Sequence, residues 1–558
     1  MKKRRNTKFT FAAAMAACIS SPAAALDWSF DDGTTVTLDT TVKLSGGERV
    51  SKPDPSLLNS VNTDDGQRAF KQGQPISERV DVLMELDVTH ENVGFTASGA
   101  AWYDAIYNEK NSNGSQSTFN GNGPSDHFND AVRNIEGRYI ELLNAYAHGD
   151  FHLGETALNV RVGQYALQWG EAIFSTDSIA YGMAPTDIIK ATGVPGSQIK
   201  ELLLPVPQAS FSLQIKPKVT FEGYAQFEFR PDRFPAAGSY FELADFLGAG
   251  DANLLAGTNP FNPNLPLSLT QNGIEYGRNI GQFGFAAKYH PTTNLDVGFY
   301  FVEFDDKQPQ IYSTVPTTSI PFGPTLPTAF LNPAQTAATG HLGTYTEGYA
   351  RNIQIYGASA TTTLGPVNFG FETSVRTNMD LESKSITLAS GQTANFSNAS
   401  LYSRGTTLHY IANALYIGET TRFWDGITVI GEISGSHLLG ITANAGNFNP
   451  AYTHNELGTT LVIAPTYFQV RPALDIDFPV TWGWNIQGNG PWSASQNYSA
   501  FYGGYVSAGV AALYQRVWRG GVQYTHFYGG TGFNTATQIA ETPFLGRDFV
   551  SFNVQRSF

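Results

Sequence analysis

The sequence predicts an all-β protein, a transmembrane antiparallel β-barrel of roughly 16–18 strands with short periplasmic turns and long extracellular loops. Three observations predict it: an export signal at the start, alternating segments of about ten residues, and connections that switch between short and long. The 558 residues have a mean hydropathy of −0.20, which argues against a helical membrane protein. A net charge of −14 argues against a nucleic-acid-binding protein, which would carry a basic surface.

Residues 1–25 are predicted to be a cleaved secretory signal peptide. A basic start at residues 2–8 is followed by an apolar stretch at 9–19 and by small residues at 23–25. The apolar stretch is too short to cross about 30 Å of hydrocarbon, so a membrane anchor is disfavoured. Lipidation at Cys18 is an alternative, but it leaves the alanines at 23–25 unexplained. Cys18 is the only cysteine, so the exported chain has no disulfide.

The remaining chain, residues 26–558, alternates between polar and apolar positions in many segments. In residues 79–88 the even positions are all apolar and the odd positions, apart from Leu83, are charged. Residues 35–44 and 220–229 repeat this pattern. Such a strand has one face in an apolar medium and one in a polar medium, which fits a sandwich core or a barrel in lipid. The polar face predicts charges that point into the lumen or pair along its wall: Arg79, Asp81, Glu85, Asp87, Arg161, Glu222 and Glu228.

The connections favour the barrel over the sandwich. Short connections such as residues 91–93 and 216–218 alternate with long ones such as 106–136 and 230–279. Outer-membrane barrels have this asymmetry, so residues 26–558 are predicted to form a single barrel domain in the bacterial outer membrane. The last nine residues resemble the final strand that the barrel assembly machinery reads, with Phe552, Val554 and Phe558 as the assembly signal. Arg556 departs from that pattern, because an apolar residue is more usual there.

Residues 161–211 carry the most distinctive motif of the chain. They read RVGQYALQWGEAIFSTDSIAYGMAPTDIIKATGVPGSQIKELLLPVPQASF. With Val-Gly-Gln at 162–164, Trp-Gly-Glu at 169–171 and Pro-Val-Pro at 205–207, this segment resembles a proteobacterial outer-membrane family catalogued as domain of unknown function thirteen-oh-two. Ala184 departs from the Asn-Pro-x-Asp type of sequence that such proteins often carry there. The resemblance implies a channel for hydrophobic or poorly soluble small molecules, and as partners an inner-membrane efflux-type transporter and a periplasmic lipid carrier.

Residues 171–205 are a long connection with helical periodicity of its own. Long loops with internal structure often serve as lids or constrictions, and a barrel of this size needs one to be selective. We expect the loop to fold inward, although it could instead cap the outside of the barrel. The candidate constriction residues are Trp169, Glu171, Asp177, Asp187, Lys190, Lys200 and Glu201.

Two further loops, residues 255–269 and 311–333, are apolar and rich in proline. Exposed apolar patches often mark binding surfaces, so these loops could form a hydrophobic entrance. Alternatively, they pack on one another over the barrel mouth. The candidate entrance residues are Phe261, Leu265, Phe322, Leu326 and Phe330.

No enzyme signature is visible, and we expect neither a metal nor a cofactor. Ser434 and His437 are close in sequence, but no third catalytic residue stands at the required spacing. Besides the hydrophobic-solute channel, a general aqueous diffusion porin and a barrel that serves as an enzyme or surface-binding platform stay open. The expected partners are outer-membrane lipid and lipopolysaccharide, the barrel assembly machinery and a small-molecule solute, with no nucleic acid.

Overall fold

The computed structural model describes residues 26–319, 325–327, 329, 332–388, 391–492, 502–530, 533–534, 539–540 and 542–558. The predicted signal peptide, residues 1–25, lies outside the described residues. The strands are β1 (Leu26–Ser29), β2 (Thr34–Arg49), β3 (Pro75–His90), β4 (Val93–Asp104), β5 (Arg138–Leu153), β6 (Thr156–Tyr165), β7 (Val206–Lys216), β8 (Val219–Gln226), β9 (Asn253–Gly257), β10 (Leu267–Glu275), β11 (Phe283–Thr292), β12 (Leu295–Phe304), β13 (Pro309–Thr314), β14 (Thr317–Ser319), β15 (Thr325–Pro327), β16 (His341–Tyr349), β17 (Ile353–Leu364), β18 (Val367–Asp380), β19 (Ile386–Leu388), β20 (Arg404–Gly418), β21 (Gly426–Ala443), β22 (Asn455–Arg471), β23 (Leu474–Asp477), β24 (Val480–Gln487), β25 (Gly504–Tyr514), β26 (Trp518–Tyr528), β27 (Phe533–Asn534), β28 (Ile539–Ala540) and β29 (Phe549–Ser557).

The helical elements are short and lie in the connections. The α-helices are Pro55–Leu58, Asp65–Ala69, Asp130–Val132, Ile188–Gly193, Ile199–Leu202 and Pro333–Thr339. Single turns of 3₁₀ or π geometry occur at Ile106–Asn108, Arg133–Gly137, Ile179–Gly182 and Ala445–Asn447. Among the described residues, no helix has both the length and the apolar character that a membrane crossing requires.

Eighteen antiparallel strand positions close into one barrel. They run in the order β2, β3, β4, β5, β6, β7, β8, β11, β12, β17, β18, β20, β21, β22, β24, β25, β26 and β29, and β23 shares the position of β24. The barrel closes where β29 pairs with β2, from Thr41 opposite Ser557 to Arg49 opposite Phe549. The predicted all-β antiparallel barrel is therefore confirmed, and so is the predicted number of strands.

The connections at the two ends of the barrel differ as expected. Tight turns join β3 to β4, β5 to β6, β7 to β8 and β17 to β18, whereas the other end carries every long loop named above. Some of those loops form a five-stranded sheet of their own, in the order β19, β13, β16, β10 and β9. We call the two ends the short-turn end and the long-loop end.

The strands alternate between the two faces of the wall. On β21, Ile433 is 49% exposed on the outer face, whereas its neighbour Ser434 is buried on the lumen face. On β18, Phe371 points outward and Glu372 is buried toward the lumen. A belt of exposed aromatic and aliphatic side chains around a closed barrel is the surface that lipid covers.

The last strand explains the unusual arginine of the final motif. Phe552 and Val554 are exposed on the outer face of β29. Arg556 lies on the same side, but its guanidinium is 4.9 Å from the Trp518 ring and 4.7 Å from the Phe558 ring. Since the two rings cover the charge, Arg556 is compatible with an apolar surface.

We expect neighbouring residues of β26 to respond differently to the same change. Val522→Lys places a charge on the exposed outer face and should lower the stability of the barrel in lipid by about 2–4 kcal/mol, whereas Gln523→Lys points into the lumen and should not. Urea unfolding of the refolded barrels in lipid vesicles measures both values. Equal losses for the two variants would contradict the assignment of the faces.

Candidate pore constriction

The connection between β6 and β7, residues 166–205, enters the lumen and is called the inward loop below. Its first arm, residues 169–177, contacts the wall formed by β17, β18, β20 and β21. Its second arm, residues 194–202, contacts β2, β3 and β29. Seven strands stand between β3 and β17 on one side of the barrel, and four stand between β21 and β29 on the other. The loop therefore spans the lumen from wall to wall.

Two buried glutamates of the wall hold the first arm. Glu432 accepts hydrogen bonds from the backbone N–H groups of Ile173, Phe174 and Ser175, at 2.7, 3.0 and 2.7 Å. Glu372 accepts from the N–H of Glu171 at 2.7 Å. These carboxylates satisfy backbone donors that have no strand partner inside the lumen, and an unpaired buried donor would be costly.

The tip of the first arm requires a glycine. Gly170 has a φ of +93°, and a Cβ at this position would lie 2.2 Å from Glu372 Oε2. Trp169, the residue before it, is buried against Tyr224 and Tyr300, with ring centroids 5.1 and 6.0 Å apart. The Trp-Gly-Glu motif thus combines an aromatic anchor, a close approach and a backbone donor.

A buried hydrogen-bond chain holds the end of the first arm. Asp177 Oδ1 is 2.7 Å from Nδ1 of His409, whose Nε2 is 2.8 Å from Thr407 Oγ1. Arg376 donates to the carbonyl oxygens of Thr176 and Ser178 at 2.9 and 3.0 Å. Both strands, β18 and β20, are thereby tied to the same turn of the loop.

The second arm is held mainly by ion pairs. Lys43 of β2 is buried and lies 3.6 Å from Glu201, and its Nζ donates to Ser197 Oγ at 3.4 Å. Lys200 pairs with Glu85 of β3. The helix Ile199–Leu202 begins with a capping box formed by Gln198 and Glu201, so Glu201 serves both the helix and the wall.

The middle of the inward loop joins β5 to the segment that follows β8. Glu141 of β5 accepts from Lys190 Nζ at 3.0 Å and from Arg233 at 2.6 Å. Arg233 also donates to Asp187 at 2.8 Å, and Asp187 caps the helix Ile188–Gly193. This network holds the middle of the inward loop to β5 on one side and to the segment after β8 on the other.

The structure places most of the predicted constriction residues at these attachment points. Trp169, Asp177, Asp187, Lys190 and Glu201 are buried in the contacts described above. Glu171 is half-buried and accepts from Ser359 Oγ at 3.1 Å, and burial raises the pKa of its carboxyl. The side chain of Lys200 is 47% exposed.

The predicted lumen charges mostly have a partner on the wall. The carboxylate of Asp81 accepts two hydrogen bonds from Arg79 within β3, and Glu222 pairs with Lys288 of β11 at 2.9 Å. The remaining contacts are Glu85 with Lys200, Asp87 with Thr89 and Thr96, Arg161 over the Tyr146 ring, and Glu228 with Arg230. Many of the predicted lumen charges are therefore paired along the wall, which was the alternative to unpaired charges that face the lumen.

The structure describes only part of the predicted hydrophobic entrance. Phe261 is exposed and Leu265 is half-buried. Phe322 and Phe330 lie outside the described residues, and of Leu326 the structure describes the backbone in β15.

Sequence reasoning missed two groups of residues at this site. Ile173 and Phe174 stay 44% and 43% exposed although they lie against the inner face of β21. Glu372 and Glu432 were also missed. Glu432 is the single carboxylate in a strand of mostly apolar and small residues, a signal that could have marked it, whereas β18 carries Asp380 and Arg376 beside Glu372.

Three buried carboxylates come together among the long loops, where no metal was expected. Oxygen atoms of Asp64, Asp65 and Asp245 lie within 4.8 Å of one another, and they are the group of described residues that could hold a metal ion. Burial raises the pKa of Asp64 to about 6 and raises the pKa values of Asp65 and Asp245 well above the ordinary range. A metal ion would balance the negative charge of such a cluster, and protonation of its carboxylates would remove that charge without a metal.

Ser434 and His437 do not form a catalytic pair. Ser434 is buried on the lumen face of β21. His437 lies an odd number of residues along the same strand, and its Nδ1 is 2.6 Å from Asn455 Oδ1. Their side chains therefore leave the wall on opposite faces.

The family model described as "Protein of unknown function (DUF1302)" matches residues 6–558. The chain belongs to this family. The resemblance noted from the motif at residues 161–211 is thereby confirmed. In this DUF1302 protein the Val-Gly-Gln and Trp-Gly-Glu runs mark where β6 leaves the wall and where the first arm meets β18.

Solved structures show a distant likeness to this DUF1302 chain. OccAB1 of Acinetobacter baumannii has a TM-score of 0.43 at 9% identity, covering 96% of this chain and 98% of its own. OccAB3 of the same organism has a TM-score of 0.42 at 11% identity, covering 94% and 99%. OpdK of Pseudomonas aeruginosa, solved with vanillate, has a TM-score of 0.40 at 9% identity, covering 94% and 98%. A comparison with curated proteins gave no match.

Removing a wall carboxylate should release the first arm. Glu372→Ala leaves the N–H groups of Glu171 and Ile179 without their acceptor, at a cost of about 1–3 kcal/mol for each buried donor. We expect chymotrypsin to cut the refolded variant within residues 169–178, after Trp169 or Phe174. Glu222→Ala is the matched control, since its partner is Lys288 on the wall. Equal resistance of the two variants would contradict the anchoring role.

The carboxylate cluster should make the long loops sensitive to pH. Because the folded pKa of Asp64, about 6, exceeds its ordinary value, its contribution to stability is present at low pH and is lost as pH rises through about 6. Asp65 and Asp245 extend the loss to higher pH. Amide exchange, corrected for intrinsic rates, should show less protection of residues 59–70 at about pH 8 than at about pH 5.

Asp65→Asn should reduce this difference, whereas Asp130→Asn, at an exposed position, should leave it unchanged. Protection that rises with pH in the parent protein would contradict the sign of the effect.

Proposed function

We propose that the protein is a channel of the bacterial outer membrane, narrowed by the inward loop, and that it passes hydrophobic or poorly soluble small molecules. A closed barrel of eighteen strands with an apolar outer belt supports the membrane location. A barrel of this size encloses an aqueous lumen unless a segment fills it. The single observation that carries the proposal is the inward loop, which is bonded to both sides of that lumen.

The exposed pair Ile173 and Phe174 supports a hydrophobic solute. Each of these side chains lies inside the barrel and yet keeps more than two fifths of its surface free. The first arm is fixed by its backbone bonds to Glu432, so the two side chains are presented at a defined place. Apolar surface held open to water in this way is a binding surface for an apolar solute.

The wall near this pair adds little charge. Apart from Glu432 and Glu456, the lumen face of β21, β22, β25 and β26 carries mainly small uncharged residues, among them Ser434, Thr460, Ser507 and Thr525. A neutral surface imposes no strong selection by charge. Within the proposal, the solute passes between this wall and the first arm, and the periplasmic lipid carrier and inner-membrane transporter implied by the family resemblance receive it.

Single-channel conductance separates this proposal from an open diffusion porin. The refolded protein in a planar bilayer should give silence or rare brief openings, because the inward loop obstructs the lumen. Deleting residues 175–200 removes much of the loop and should produce large steady steps. Large ohmic steps from the unaltered, folded protein would replace the proposal with a general aqueous porin.

The apolar pair should determine solute preference. Replacing Ile173 and Phe174 by serine should lower cellular uptake of the apolar fluorophore N-phenylnaphthylamine by at least tenfold, since full contact with one such side chain contributes roughly 1.5–3 kcal/mol and a tenfold change requires only about 1.4 kcal/mol. The matched control replaces Ile433 by serine on the outer face, and it should take up the fluorophore normally. Unchanged uptake by the double variant would remove the support for a hydrophobic solute.

A further inference from the structure

The barrel wall has an uneven edge at the long-loop end. β5 pairs with β6 from Leu153 opposite Thr156 only as far as Ala145 opposite Gln164. Residues 138–144 of β5 continue beyond that point and pair with β4, but β6 ends at Tyr165 and β7 begins at Val206. The wall is therefore notched where the chain leaves it to form the inward loop.

The far side of the notch is the segment that follows β8, residues 227–233. Arg230 donates to the carbonyl oxygen of Pro205 at 2.7 Å and to Gln164 Oε1 at 3.0 Å. Gln164 Nε2 in turn donates to the carbonyl oxygens of Leu142 and Leu143, at 2.9 and 2.5 Å. Two side chains, Gln164 and Arg230, thus bridge the notch where backbone pairing between strands is interrupted.

A second bridge lies on the inner side. Arg233, beyond β8, donates to Glu141 of β5 at 2.6 Å, and Lys190 of the inward loop donates to the same carboxylate at 3.0 Å. The notch is closed by side-chain contacts between separate segments. Such contacts break without unfolding the barrel, whereas a strand pair in lipid does not open at low cost.

The outer rim of the notch is strongly apolar. Ile140 is 81% exposed and Leu142 is 60% exposed, and both lie on the outer face of β5. The Glu141–Arg233 bridge is buried on the inner side, whereas Gln164 lies on the same face of β6 as the exposed Val162, so the Gln164–Arg230 bridge closes the notch beside its apolar outer rim. An apolar solute that passes these bridges and reaches the rim exchanges contact with water for contact with lipid.

We propose that this notch is a side opening through which an apolar solute moves between the lumen and the surrounding lipid. The inference rests on the proposed function and adds the route: because the inward loop obstructs the axis of the barrel, the solute leaves beside that loop. The opening is bounded by residues 138–144 and 227–233, and the bridges of Gln164–Arg230 and Glu141–Arg233 close it.

A thiol placed on the rim tests the route after the barrel has folded. Cys18, in the predicted signal peptide, is the only native cysteine, so Leu142→Cys provides a single reactive site in the exported chain. Cells that express this variant are treated with a charged methanethiosulfonate, and uptake of N-phenylnaphthylamine is followed before and after treatment. Ile433→Cys is the matched control, because it is also exposed on the outer face.

Modification at Leu142→Cys should lower uptake by about tenfold, because an anionic group on an apolar route raises the barrier to the solute. Modification at Ile433→Cys should leave uptake unchanged, and conductance should be the same for both proteins. Uptake that continues after complete modification at Leu142→Cys would overturn the side opening and leave the channel proposal intact. Absence of uptake in the folded, unmodified protein would overturn the hydrophobic-channel proposal itself, and the side opening with it.

Discussion

A segment of chain inside a wide barrel must satisfy its backbone polar groups without a sheet. The inward loop of this protein meets that constraint with carboxylates supplied by the wall. Glu432 accepts three successive N–H groups, and Glu372 accepts the donors on either side of the turn. A carboxylate replaces the missing strand partner, so the loop can lie across the lumen with little secondary structure of its own.

The two arms use different chemistry to reach their walls. The first arm is held by backbone donors, aromatic packing around Trp169 and the buried Asp177–His409 contact. The second arm depends on lysine pairs, of which Lys43–Glu201 is buried and Lys200–Glu85 is exposed. Exposed ion pairs contribute little to stability, so the second arm has the weaker attachment. We therefore expect any movement of the inward loop to begin there rather than at the glutamates.

The barrel could be predicted from the sequence because its determinants are local. The alternation of polar and apolar residues in 79–88 depends only on which medium each face meets, and the lengths of the connections can be counted in the sequence. The partners of the inward loop are not local. Glu372 and Glu432 come beside residues 171–175 only after closure sets the position of every strand. The sequence indicated that the loop carries charges, but it could not show that Asp177 and Lys190 are buried attachments.

The narrowing of the lumen and the notch in the wall have one structural origin. Gly163, with a φ of +137°, lies so close to Tyr146 that a Cβ would meet its backbone, and two residues later β6 leaves the sheet. The forty residues that follow, 166–205, lie inside the lumen and therefore form no part of the wall. A chain that contributes a long inward loop at the end of a strand interrupts the pairing at that point. Because the wall must still exclude lipid from the lumen, side chains such as Gln164, Arg230 and Arg233 take over where the backbone has left.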